Sequence, residues 1–375
     1  MKKLMKYTLV GIAALGLYGC EDQLDRYPKD KLTPDKFFRN EQECQLYTND
    51  FYTIFPTTVY GESADVIAKN VLTSEVLGNR TVPATASTWK WEKLRDINFF
   101  LEYSSNCKDR DVRLQYEGLA RFFRAYFYFE KVKYYGDVPW VDRPLASNEE
   151  ELYKGRDSRD LVMSKVIEDL DFAIEHLSPT KETYRVSEWT ALALKSRVCL
   201  FEGTFRKYHS REPSSDKPWQ AEYNADNKFL REAAAAAKEI MDKGPYSLVT
   251  GDVKTAYRSL FTSAGLLTQE VIFGREYSKE LSAFHETSWY YYSPTYGAKI
   301  AMTKKFMNTY LTTRGTPFTD IDGYQTIDFI REFDGRDARM AQTVISPTYK
   351  MKISGRERLY SPNWKVTRTG YHPIK

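Results

Sequence analysis

One stretch constrains this chain more than any other: Val112 to Tyr135, which carries Leu119, Phe122, Phe123, Tyr126, Phe127 and Phe129. Wound as a helix, it is apolar on nearly every side. Such a helix has to sit buried at the centre of a larger helical body. Gly136 serves as its C-cap, and Asp137-Val138-Pro139 breaks it. The chain has 375 residues, 42% of them apolar and 28% charged, which is enough to bury such a core as two domains or one large one.

More helices flank the central one. Thr33-Pro34-Asp35 reads as a helix start, with Thr33 as N-cap and Pro34 as the first helical residue. A helix is expected over 90–107. Over 158–177, Met163, Val166, Leu170, Ile174 and Leu177 fall at steps of three and four behind the cap Ser158. Ser187 caps the next helix, which runs to about Lys207, and its small residues Ala191, Ala193, Ser196 and Cys199 let a neighbour approach closely. Asn227 to Asp242 holds five consecutive alanines, Ala233 to Ala237, and Gly244-Pro245 stops it. Alanine-rich beside amphipathic helices point to antiparallel pairs stacked as in tetratricopeptide repeats.

The character changes near residue 246. From Tyr246 to Lys375 the chain is rich in Gly, Ser, Thr and Tyr, and short runs such as Glu270-Val271-Ile272-Phe273 read as buried strands. The expected fold class is therefore mainly α: tetratricopeptide-like helix pairs as a scaffold over 20–245, carrying an irregular, loop-rich region with short strands over 246–375. Loops on a rigid scaffold are where binding usually resides.

The search for chemistry is mostly negative. Lys+Arg 55 against Asp+Glu 51 is a small surplus, and three of the lysines lie in the first six residues, so phosphate-driven nucleic-acid binding is disfavoured. There is no GxSxG, HExxH, Walker loop or GxGxxG. The four histidines, His176, His209, His285 and His372, are not at ligand spacing. Asp320-Ile321-Asp322-Gly323 opens like a calcium loop, but Tyr324, Gln325 and Arg331 stand where its later ligands and turn glycine belong. No metal or cofactor is implied, and the reading is of a non-catalytic protein. Cys44, Cys107 and Cys199 form no CxxC, and a Cys44–Cys107 bond is an open alternative for an exported protein.

The positive signal is aromatic. Tyr 28, Phe 21 and Trp 7 make 15% of the chain, and Trp289-Tyr290-Tyr291-Tyr292-Ser293-Pro294-Thr295-Tyr296 concentrates it. Pro294 argues against a central strand, and four adjacent rings cannot all enter one core. Exposed flat rings stack on the C–H faces of sugars. Trp289, Tyr290 and Tyr292 are the expected platform, with Tyr290 and Tyr292 on one side of an extended segment. Tyr296, Trp89 and Arg80 are further candidates, with Asn79 and Trp91 beside them. An edge strand or a protein interface explains the tyrosine run equally well. Tryptophans packed on helix ends would explain Trp89 and Trp91.

Residues 1–19 form a leader: Lys2, Lys3 and Lys6 precede an apolar run from Leu9 to Leu17 that is too short to span a bilayer. Leu17-Tyr18-Gly19-Cys20 resembles the lipobox of bacterial lipoproteins, with Tyr18 bulkier than the usual occupant. An ordinary secretory signal with an incidental cysteine is the alternative. As a lipoprotein, the mature chain starts at Cys20, which carries several acyl chains and so a stable anchor. Glu21 and Asp22 resemble a surface-export signal.

Several segments together resemble the SusD/RagB family. They are Ala120-Arg121-Phe122-Phe123-Arg124-Ala125-Tyr126-Phe127-Tyr128-Phe129, Tyr135-Gly136-Asp137-Val138-Pro139, Leu24-Asp25-Arg26-Tyr27-Pro28, Ile167-Glu168-Asp169-Leu170-Asp171-Phe172-Ala173, Ala191-Leu192-Ala193-Leu194-Lys195-Ser196-Arg197-Val198 and Arg336-Asp337-Ala338-Arg339-Met340. The resemblance implies a single SusD-like domain over 20–375, lipid-anchored on the outer face of the outer membrane. It implies a non-catalytic protein that binds oligosaccharides, or peptides in some branches, and acts as a lid on a SusC-like TonB-dependent transporter. A surface glycosidase is the rival from another class. Family members continue beyond the RDxR segment, so the C-terminal part of the family fold is expected to be missing here. Replacing the lipid-bearing thiol tests the anchor: Cys20→Ser is expected to leave the membrane fraction, and wild-type retention would overturn the lipoprotein reading.

Overall fold

Helix ends in this chain are set by caps that the sequence announces. The central helix α4 (Arg110–Tyr135) starts at Asp109, whose carboxylate accepts from the backbone N–H of Asp111 and Val112, and closes at Gly136 with φ +69°. Ser158 caps α5 (Arg159–His176) by accepting from Leu161 N at 3.3 Å. Ser187 precedes α6 (Glu188–Tyr208), and α7 (Lys228–Lys243) completes the set of long helices. The expected helix over 90–107 is α3 (Glu92–Tyr103) continued by a 3-10 turn, Ser104–Asn106. Before it come α1 (Glu41–Thr48) and α2 (Ser74–Leu77); after α7 come α8 (Ala256–Thr262), α9 (Thr287–Tyr292), α10 (Lys304–Met307) and α11 (Ala338–Thr343).

This is a computed structural model that describes residues 36–57, 66–82, 85–220, 227–353, 355–360 and 363–374. The leader, Cys20 and the helix start at Thr33-Pro34-Asp35 lie outside the described residues. Helix α4 packs against α5 and α6 against α7, with α5 lying on α6. These are the stacked pairs that the small-residue and amphipathic patterns imply. Phe122, Phe123, Phe127 and Phe129 of α4 are all buried, joined by Met163, Val166 and Leu170 of α5. Helices α6 and α7 meet closely enough for the Ser196 hydroxyl to donate to Ala233 O at 2.9 Å.

The rest is irregular, as expected, with short strands. Strand β1 (Ile67–Ala68) pairs antiparallel with β2 (Ala301–Met302), Ile67 opposite Met302. Strands β3 (Lys350–Ile353) and β4 (Arg356–Leu359) form a hairpin with Lys350 opposite Leu359. The expected strand at Glu270–Phe273 is not one. The apolar run is used for packing and not for a ladder: Phe273 lies 5.3 Å from the Phe55 ring and 6.4 Å from Tyr52. Met307, Met340, Val344 and Tyr371 build a second small core. Arg336 of the RDxR segment is buried and holds it together, donating to Met307 O at 2.6 Å and Tyr310 O at 3.0 Å. Cys44, Cys107 and Cys199 are buried thiols. Burial, with Cys107 beside it, pushes the Cys44 thiol up to about 12.

Charge is buried between the helices. Arg124 of α4 grips Asp169 of α5 with two bonds of 2.7 Å, and both residues are almost inaccessible. Arg124→Ala would strand a buried carboxylate and is expected to cost about 3–5 kcal/mol in chemical denaturation. The double variant Arg124→Met/Asp169→Leu should recover most of that loss. A single-mutant loss under about 1 kcal/mol would show that water reaches Asp169.

Candidate functional site

The aromatic run is helical where an extended segment was expected. Helix α9 is followed by a tight turn: Ser293 N donates to Trp289 O at 2.9 Å, Gly297 N to Ser293 O at 3.0 Å and Tyr296 N to Ser293 Oγ at 3.1 Å. Gly297 is required here, because a Cβ would lie 2.4 Å from Ser293 O and 2.7 Å from Tyr290 O. The turn carries Tyr296 back onto Trp289. Their rings are near-parallel at 18°, with centroids 5.8 Å apart. Both stay in water, Trp289 at 52% exposure and Tyr296 at 72%.

This revises the expected platform. In a helix of 3.6 residues per turn, residues two apart point to nearly opposite sides. Tyr290 and Tyr292 therefore do not share one surface. Tyr290 is half-buried. Tyr292 turns inward and stacks on His372 at 4.6 Å, and burial raises its phenol above the ordinary range. Tyr291 and Tyr292 instead line a cavity of about 640 Å³ on the flank of α9, together with Phe261, Arg275 and His285. Sequence reading missed these last three. Phe261 is 58% exposed in a loop-rich region, but its own sequence surroundings do not mark it.

Trp89 and Arg80 lie elsewhere. Trp89 packs edge-to-face on Trp91 at 5.0 Å and on Tyr135 at 4.7 Å, with the Arg156 guanidinium 5.1 Å over its ring. Both tryptophans line a cleft of about 710 Å³ at the first turn of α3. Arg80 follows α2 on the surface and pairs with Glu75 at 3.3 Å. Among the described residues, no group of three or more His, Cys, Asp or Glu gathers as a metal site would require. No described helix is long and apolar enough to cross a membrane.

Comparison with known proteins agrees with the fold. Residues 36–200 match the family model SusD-like, described as starch-binding and associating with the outer membrane. The SusD-like protein P25 of Formosa agariphila is 23% identical over 294 residues, which is 70% of this chain and 50% of that protein. The chain thus spans about half the length of the curated relatives it matches. A SusD-like protein of Bacteroides fragilis superposes with a TM-score of 0.68 at 20% identity, covering 93% of this chain and 70% of its own. A SusD-like carbohydrate-binding protein of the same organism gives 0.64 at 19%, covering 90% and 67%. The resemblance to the SusD/RagB family and the mainly α fold are borne out.

His372 ties the cavity wall to pH. It is fully buried, and burial alone pushes its imidazole down to about 4 from 6.5. The unfolded chain therefore binds the extra proton between these values. The neutral ring contributes its full stability above pH 6.5, and this is lost as pH falls toward 4. The loss is on the order of 3 kcal/mol. Unfolding free energies measured from pH 4.5 to 7.5 should rise with pH, and His372→Phe should flatten the rise. An unchanged slope in that variant would place the titration elsewhere.

Proposed function

We propose that this SusD-like chain is a surface nutrient-binding protein. It captures an oligosaccharide on the Trp289–Tyr296 stack and passes it to a SusC-like TonB-dependent transporter in the outer membrane. The observation that supports the reading is the stack itself: two large rings, near-parallel and solvent-facing, held by a turn that tolerates no side chain at Gly297. A folded protein exposes such rings at a cost, and a sugar face repays it by covering them. The adjoining cavity can take a further sugar unit, with Arg275 and the α9 hydroxyl of Ser288 as hydrogen-bond donors. Bulk and orientation come from the rings, and specificity from these polar groups.

Capture and handover need no bond cleavage, so the ligand leaves as it arrived. Anchoring through Cys20 keeps the site at the membrane surface. The loop-rich part over 246–375 carries the site, and the helical part over 20–245 carries the loops. The supporting likenesses are the starch-binding description of the matched family model and the carbohydrate-binding neighbour of similar fold.

Affinity gels containing candidate polysaccharides test binding: retarded migration without released sugar is expected. Trp289→Ala should then weaken binding about five- to a hundred-fold, taking ~1–3 kcal/mol per ring by analogy with base stacking. Its melting temperature should stay at the wild-type value because the ring is half in water. A retained affinity, or a large fall in melting temperature, would remove Trp289 from the site.

A further inference from the structure

A second recess lies apart from α9. The cleft of about 710 Å³ is walled by the first turn of α3, the segment that follows α4 and the loop before α5. Its volume suits a short oligosaccharide. Five of its lining side chains are cationic and two are carboxylates. Two of the cations are already neutralised. Arg143 bonds Glu149 at 2.5 Å and Glu151 at 2.8 Å, and Lys154 lies 3.2 Å from Asp157 and 3.5 Å from Glu151.

The other three are not neutralised. Among the described residues, no carboxylate lies within 4.0 Å of Lys90, Arg95 or Arg156, and all three are exposed. Among the described residues Arg156 donates only to backbone carbonyls, Tyr135 O at 3.3 Å and Asp137 O at 3.4 Å, while its guanidinium sits over Trp89. That holds one charged fork in place beside an aromatic face. Arg95 projects from the wall formed by α3, and Arg156 from the loop wall. A planar guanidinium matches a carboxylate or sulfate with paired donors. The shape of the indole pair narrows the ligand further. Trp89 and Trp91 meet at 76°, a corner and not a parallel slot. A corner suits the puckered ring of a sugar better than a flat base sandwiched between two faces.

We infer that this cleft binds an acidic saccharide, with its carboxylate or sulfate on Arg95 and Arg156 and its ring against Trp89. The site is separate from the Trp289–Tyr296 stack and stands without it. Glu92 works against the ligand: it lines the same cleft, and among the described residues no cation lies within 4.0 Å of it. Neutralising it should tighten binding.

Titration calorimetry on the full chain tests this with three oligosaccharides of matched length: an oligogalacturonate, a sulfated galactan fragment and a neutral gluco-oligosaccharide. At least one acidic probe should bind the wild type more tightly than the neutral one, and its affinity should fall as salt rises. Which of the two binds identifies the acid group. Arg95→Glu should weaken that acidic probe by at least about tenfold, since a charge-assisted hydrogen bond is lost and a repulsion gained. Among the described residues the Arg95 side chain makes no hydrogen bond or ion pair, so melting and neutral-probe binding should stay unchanged. Glu92→Gln should strengthen the acidic probe, and Trp289→Ala should leave it as it was. The inference falls if neither acidic probe outbinds the neutral one, or if Arg95→Glu and Arg156→Gln both bind as wild type. It also falls if Trp289→Ala abolishes acidic binding, since the acid would then sit on the α9 stack.

Discussion

The bidentate bond between Arg124 and Asp169 is the contact on which the scaffold depends. A charge buried between two helices has to be met, and here one guanidinium meets several groups at once. Besides Asp169 on α5, it reaches Asn98 Oδ1 on α3 and Asp142 O beyond the end of α4, each at 3.4 Å. Three consecutive helices and the segment leaving α4 thus converge on one side chain. A second buried network repeats the device one step along: Arg159 and Arg206 share Glu202 at 2.7 and 2.8 Å, and Arg206 also bonds Asp160 at 2.5 Å. Such networks repay little more than their desolvation. Their geometry, however, is satisfied in one alignment of α4, α5 and α6, and the register of the stack follows from it.

That stack carries the irregular half by contacts far apart in sequence. Strands β1 and β2 join residues from the two halves, and Asn70 N donates to Ala298 O at 2.8 Å just past the aromatic turn. Tyr52 and Phe55, beyond α1, receive Phe273. His372 reaches back to pack under Tyr292. The region around the aromatic turn is therefore assembled from segments near residues 70, 290 and 370. Trp289, exposed beside Tyr296, and Tyr291, buried against His372, lie on nearly opposite sides of one six-residue helix. The two clefts differ in electrostatics as well as place. The flank of α9 presents rings and the single Arg275, while the recess at α3 presents Lys90, Arg95 and Arg156, none with a carboxylate within 4.0 Å among the described residues.

The sequence by itself determined the helical scaffold. The apolar residues of α4 leave it no place but the centre, and Ser158 and Gly136 mark helix ends because capping is a local matter of backbone bonds. That some rings of the run around Pro294 stay exposed was legible too, since they cannot all be buried, but which ones was not. Tertiary structure alone decided the rest. Whether residues 287–292 coil or extend is a weak local preference, and packing of Tyr291 and Tyr292 against His372 settles it in favour of the helix. The same coil sends Tyr290 and Tyr292 to different sides, which a period of two could not foresee. Likewise, Glu270–Phe273 has the composition of a strand but lies against Tyr52 and Phe55, because a strand exists only where another segment offers it a ladder. Periodicity and caps are written within a few residues of one another; a partner more than two hundred residues away is not.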